Sequence, residues 1–168
     1  MNLVYAIGII LVVAAVVVFY YIYNIDTYIV RVNKKRVMEF KSSMDLTGLP
    51  IVTFYQGNRK YHFLLDTGSN VSYVNSKSDI EVIKTGAKDT FMGANGQDMP
   101  CEVATIKLYR DGVEYDCTVS VADLNTAFTE LKDTYGVLIS GLLGNDFFVK
   151  YQYCLDFKEL VAYSRTKK

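Results

Sequence analysis

An apolar run, Phe63-Leu64-Leu65, delivers Asp66-Thr67-Gly68-Ser69-Asn70, and Val71-Ser72-Tyr73-Val74 resumes apolar alternation directly behind it. Period-two patterning on both sides of a glycine-containing triplet reads as strand, tight turn, strand. Gly68 permits the sharp backbone, while Thr67 and Ser69 carry hydroxyls that can bond the local backbone or the adjacent carboxylate. A chain built this way holds one carboxylate, Asp66, on a rigid loop at the rim of a sheet. Rigid placement is what acid–base chemistry requires of a carboxyl group.

More strand grammar surrounds that turn. Ile51 to Tyr55 and Arg59 to Leu65 flank Gln56-Gly57-Asn58, a hairpin ending in Asp66. His62, the single histidine, has no second histidine or Cys-x-x-Cys to make a metal site and reads as an ordinary strand residue. Lys77 to Asp89 reads as polar loop with a short strand around Ile80 to Ile83. A glycine-bracketed tip, Met92-Gly93-Ala94-Asn95-Gly96, leads into a strand over Cys101 to Tyr109. Asp111-Gly112 marks a tight turn, and Val113 to Val121 alternates cleanly, with Cys117 on its apolar face. Leu124, Ala127, Phe128, Leu131 and Tyr135 recur at helical spacing, with Asp123 as N-cap and Gly136 as stop.

Asp66-Thr67-Gly68-Ser69 behind an apolar run resembles the active-site element of the aspartic proteases, and the length resembles the retroviral-type, retropepsin-like branch. A second stretch strengthens the likeness. Leu142-Leu143-Gly144 is similar to that family's apolar-apolar-Gly element, and Asn145-Asp146-Phe147-Phe148 looks like the start of the helix that follows it. Cys154 to Phe157 and Leu160 to Tyr163 match a closing hairpin. The resemblance implies a mainly-β, single-lobe acid-protease barrel, here with one extra amphipathic helix. It implies that Leu142, Leu143 and Gly144 buttress the Asp66 loop, and that Met92 to Gly96 form a flap over the substrate. Asp146 and Asp156 lie outside any Asp-Thr-Gly turn and are not expected to be catalytic.

One aspartate cannot both deprotonate water and protonate a carbonyl oxygen, whereas two close carboxylates share a proton and titrate as a coupled pair. With one triplet per chain, the resemblance implies that Asp66 from each of two protomers meets across a two-fold axis. Thr67 would then bond across the axis, and Gly68 and Ser69 would orient the carboxylates. The implied substrate is an extended peptide. The family's interchain terminal sheet would use residues near Ser42 to Leu46 and Tyr163 to Thr166. A catalytically silent module for dimerisation or peptide binding is the alternative. No cofactor, metal or nucleic-acid partner is expected; the net charge of zero offers nothing to a polyanion.

Leu3 to Tyr23 carries no charged side chain. As a helix it would span roughly 30 Å, a bilayer's hydrocarbon core, with Tyr20, Tyr21 and Tyr23 at one end. It is long for a signal sequence and lacks the preceding basic residue. Residues 1–24 are therefore expected to form a single membrane-spanning helix, 25–47 a juxtamembrane linker, and 48–168 the protease domain. Val30 to Phe40 reads either as a continued helix or as a stalk. Arg31, Lys34, Lys35, Arg36 and Lys41 follow the span, which puts the domain on the cytoplasmic side. Three cysteines, an odd number, fit a reducing compartment; a bacterial periplasm stays open.

Overall fold

The computed structural model describes residues 12–20, 32–92 and 98–165. Two units are distinguished, and Val32–Arg165 makes up the larger one. In the other, residues 12–20 form a helix, α1, whose Val12, Val16, Phe19 and Tyr20 are all exposed. Most of the expected membrane span lies outside the described residues, and among those described no helix is long and apolar enough to cross a membrane.

The larger unit is mainly β. In order it contains β1 (Val32–Glu39), α2 (Lys41–Thr47), β2 (Ile51–Gln56), β3 (Arg59–Leu65), β4 (Tyr73–Asn75), β5 (Ile83–Met92) and β6 (Asp98–Arg110). There follow β7 (Val113–Ala122), α3 (Asn125–Tyr135), β8 (Ile139–Leu143), α4 (Asn145–Tyr151), β9 (Tyr153–Asp156) and β10 (Val161–Arg165). The hairpin turns are where the sequence puts them. Gly57 has φ 57° between β2 and β3, and both Asp111 (φ 52°) and Gly112 (φ 76°) are left-handed between β6 and β7. Two successive positive φ angles are the signature of the turn whose twist matches a hairpin.

One sheet runs β2-β3-β8-β4-β7-β6-β5, and Tyr55 of β2 pairs with Tyr109 of β6, closing the first six strands into a ring. Inside it lie Phe54, Phe63, Leu65, Val74, Ile106, Leu108, Tyr115, Val119 and Leu143, all buried. α4 seals this core with Phe147, which stacks on Tyr153 at 5.5 Å between ring centroids and meets Phe54 edge-on at 6.3 Å. The phenols of Tyr115 and Tyr153 hydrogen-bond each other at 2.7 Å, satisfying two hydroxyls that burial would otherwise strand. Burial pushes the Cys117 thiol up to about 12, so it is a neutral core filler, as its place on the apolar face of β7 suggests.

Three expectations require correction. From Val32 onward the supposed linker is part of the domain: β1 pairs with β10 through Val37↔Tyr163, Met38↔Ala162 and Glu39↔Val161. Met38 and Phe40 are 1% and 2% exposed, so alternate residues enter the core while Glu39 and Lys41 face solvent. That alternation is too short to read beside so many charges. Nor do the terminal stretches offer themselves to another chain as expected. Ser42 to Leu46 lies in α2, and Tyr163 to Arg165 is already paired within the chain in a second sheet, β1-β10-β9. Finally, the polar stretch before the glycine-rich tip is largely strand. β5 pairs with β6 along a hairpin whose two faces are mostly wet, so no apolar alternation announces it. A register shift between Lys84 and Lys88 carries Gly86 at φ 82°. The helix over 125–135 is as expected, with Gly136 left-handed at its end. Asp123 Oδ1 accepts the Asn125 N–H at 3.0 Å, although the N-cap position itself falls on Leu124.

Gly141 lies opposite Phe63 on one side and Val74 on the other. A Cβ there would stand 2.3 Å from the Tyr73 carbonyl oxygen and 2.6 Å from the Phe63 ring. Gly141→Ala is expected to cost about 3 kcal/mol of stability, read as a shift in the urea unfolding midpoint of the full-length protein.

Candidate active site

The Asp66 turn is pinned from below by a strand distant in sequence. β8 lies between β3 and β4, parallel to the first (Leu64↔Leu142, Leu65↔Leu143) and antiparallel to the second (Tyr73↔Leu142). The two strands flanking the turn are thereby held apart by the width of β8. Asp66 N–H donates to the Leu143 carbonyl at 3.0 Å, extending the parallel pairing one residue into the turn. Ser69 N–H donates to the Asp66 carbonyl at 3.3 Å, and Gly68 N–H to Asp66 Oδ1 at 2.9 Å. A Cβ on Gly68 would press within 3.1 Å of that same oxygen. Ser69 Oγ turns away and donates to the Val71 carbonyl at 2.7 Å.

The start of α4 secures the other side. Asn145 Nδ2 donates to the Thr67 carbonyl at 3.1 Å, Asn145 N–H to the Ser69 carbonyl at 2.8 Å, and Asp146 N–H to the Asn70 carbonyl at 3.3 Å. Helix-start N–H groups lack partners inside the helix, and here the loop carbonyls fill that need. Gly144 makes the approach possible: a Cβ would lie 2.4 Å from the Val71 oxygen and 2.9 Å from the Ser69 oxygen. The Gly144 N–H donates to Ser72 Oγ at 3.0 Å, and Ser72 Oγ donates to Asp146 Oδ1 at 2.7 Å. Ser72 N–H completes the ring by donating to Asp146 Oδ2 at 3.0 Å.

Sequence-expected Leu142, Leu143 and Gly144 thus sit directly against the Asp66 loop. Asp146 accepts from the Ser72 hydroxyl and N–H and from the Phe147 N–H. Asn145 and Ser72 are the residues that sequence reasoning missed. Asn145 follows Gly144 immediately, so the helix start itself was the available signal. Of the expected flap, Met92 ends β5 and pairs with Asp98, and residues 93–97 lie outside the described residues. His62 is the strand residue expected; its Nδ1 pairs with Thr53 Oγ1 at 3.0 Å. Among the described residues no three His, Cys, Asp or Glu side chains gather as metal ligands would.

Side chains alternate across a strand, so Asp66 shares a face with Leu64, opposite buried Leu65. The register carries that face across the sheet: Leu64 beside Leu142, Leu142 beside Tyr73, Tyr73 beside Ser120. An apolar cluster covers it, built from Tyr73, Cys101, Ala122, Leu124 and Leu142, with Leu64, Val71 and Phe128 packed against it. Asp66 is half-buried at the edge of this patch, Thr67 and Gly68 are exposed, and among the described residues no ion pair reaches Asp66. The arrangement offers a carboxylate whose second oxygen has no hydrogen-bond partner among the described residues, beside an apolar cluster.

No protein-family model matches the chain, and no curated protein matches it. Among solved structures the chain is similar to the EIAV protease complexed with the inhibitor HBY-793, with 16% sequence identity, coverage of 67% of this chain and 97% of that one, and a TM-score of 0.45.

Ser72→Ala would leave the buried Gly144 N–H without its acceptor and take the hydroxyl donor from Asp146 Oδ1, while the Ser72 and Phe147 N–H groups still reach that carboxylate; a loss of about 2 kcal/mol is expected, measured by urea unfolding. Burial, with Lys60 adding to it, holds the His62 pKa below its usual value. The unfolded chain then binds the proton more readily, so this contribution to stability is complete above about pH 6.5 and is lost as pH falls toward the folded value. A His62→Gln variant should show a flatter fall in melting temperature across that window.

Proposed function

We propose that the chain is an aspartic endopeptidase whose active site forms when two copies bring their Asp66 turns together, each anchored to a membrane by residues 1–24. The carrying observation is the Asp66 turn itself: a single carboxylate, rigidly held by β8 and α4, with one oxygen that no group among the described residues bonds. A turn braced by Asn145, Gly144 and the Ser72–Asp146 pair can keep that carboxylate in place when water and peptide arrive.

In this reading one Asp66 is ionised and takes a proton from the attacking water. Its partner's Asp66 is protonated and donates to the carbonyl oxygen of the scissile bond, and the roles exchange as the amine leaves. Thr67 stands exposed at the tip of the turn, where it would meet its counterpart, while Gly68 N–H and Ser69 hold the carboxylate's orientation. The hairpin of β5 and β6 would close its tip, Met92 to Gly96, over an extended peptide, as small residues in a lid allow. The protease domain would start at Val32 and face the cytoplasm. Tethering two copies to one surface raises their effective concentration and offsets a weak interface. The exposed apolar side chains of α1 support burial in lipid.

The test uses full-length protein in liposomes and a library of extended peptides. Cleavage inhibited by pepstatin is expected, with Asp66→Asn lowering kcat/KM by at least about a thousandfold. In dilute detergent the specific activity should rise with protein concentration. A verified dimer that binds peptides and cleaves none would instead establish the silent module.

A further inference from the structure

The face that carries Asp66 does not end at the apolar cluster. Ser120 on β7 lies beside Val103 of β6, Ala122 shares its face two residues on, and Cys101 two residues before Val103 pairs with Asp89 of β5. By strand alternation Asp66, Leu64, Leu142, Tyr73, Ser120, Cys101 and Asp89 therefore belong to one continuous face. The side-chain bonds agree with the register. Asp89 Oδ2 accepts from Ser120 Oγ at 3.0 Å, reaching across β6, and Ser120 is 3% exposed. The Tyr73 phenol is pushed up first by burial and then by the nearby Asp89 charge, which puts that carboxylate on the Tyr73 side of the hairpin.

The charge on Asp89 is not cancelled. Its other oxygen accepts the Thr90 N–H at 2.8 Å, so both bonds come from neutral donors. Among the described residues no lysine or arginine pairs with it; Lys84 is committed to Glu102, and Lys88 alternates to the opposite face. Asp89 is half-buried, three residues from the end of β5; Glu114 and Asp116 of β7 share the same face farther along the strand, but both are exposed and Glu114 is paired with Lys107.

We propose that Asp89 is a specificity residue: it selects peptides carrying a lysine or arginine a few residues from the bond that Asp66 cleaves. The inference rests on the proteolytic reading above and extends it to substrate class. Three inter-strand steps separate Leu64 from Ser120, roughly 14 Å along the sheet, the length of about four extended residues and fewer where the sheet curls. Leu64 is half-buried while Leu142 and Tyr73 are buried beneath the α3 side of the cluster, so a side chain near the scissile bond meets the edge of that cluster, and a basic side chain two to four residues away meets Asp89. Ser120 fixes the carboxylate from behind, as a neutral donor should if the charge is to stay available.

The experiment compares full-length wild type, Asp89→Asn and Asp89→Lys on peptide sets that differ only in Lys, Ala or Glu at each position two to four residues from the cleaved bond. Asp89→Asn keeps an acceptor for Ser120, and circular dichroism establishes that each variant is folded. At one position the wild type should cleave the Lys peptide about tenfold faster than the Glu peptide. That ratio should fall to about twofold in Asp89→Asn and invert in Asp89→Lys. A wild-type ratio near one at every position, or a ratio the variants leave unmoved, overturns the proposal. If no peptide is cleaved by wild type, the proteolytic reading fails separately, and fluorescence anisotropy with the same labelled peptides decides Asp89. Preferential binding of the Lys set that inverts in Asp89→Lys sustains the selectivity; binding blind to charge, or no binding, ends it.

Discussion

β8 has to pass between the two strands on either side of the Asp66 turn, and the rest of the structure is arranged to let it. It pairs in parallel with the strand entering the turn and antiparallel with the strand leaving it. Three close approaches follow from that insertion. Gly141 admits the Phe63 ring and the Tyr73 carbonyl, Gly144 admits the loop carbonyls, and Asn145 reaches under Thr67. Ser72 then ties loop to helix by donating its hydroxyl and its backbone N–H to the two oxygens of Asp146, at 2.7 and 3.0 Å. A loop held this way needs no contribution from substrate to be in place.

Because β8 completes a closed ring, the sheet has an inside and an outside with different duties. The inside is aromatic and dry, filled by Phe54, Phe63, Tyr115 and Phe147 in mostly edge-on contacts. The outside carries Asp66 and a smaller apolar cluster that α3 shares through Leu124 and Phe128. α3 also reaches a third cluster, with Leu131 against Ile51 and Ile139. One helix therefore braces the entry of β8 and borders the floor beside the carboxylate.

Much of this was legible because it is local. The hairpin turns, the Asp-Thr-Gly triplet, the apolar-apolar-Gly stretch and the helix ending at Gly136 each announce themselves within a few residues. What stayed hidden depended on distant partners. β1 is a strand only because β10 offers an edge to it, and its charged residues mask the two that enter the core. β5 shows no apolar alternation because residues 83–90 of its hairpin stand mostly in water. Asn145 reads as a helix-start residue; that its side chain holds Thr67 is a property of two loops brought together from opposite ends of the domain.

The amino-acid order alone determined that one carboxylate would ride a tight turn between apolar strands, since strand period, glycine and hydroxyl placement are set by neighbours in the chain. It also determined the mainly-β class and the place of the extra helix. Only the tertiary structure decided which strand braces the turn, which face the carboxylate shares, and that Asp89 stands on that face. Those depend on register between strands far apart in sequence, and a shift of one residue would turn every side chain on them to the other side.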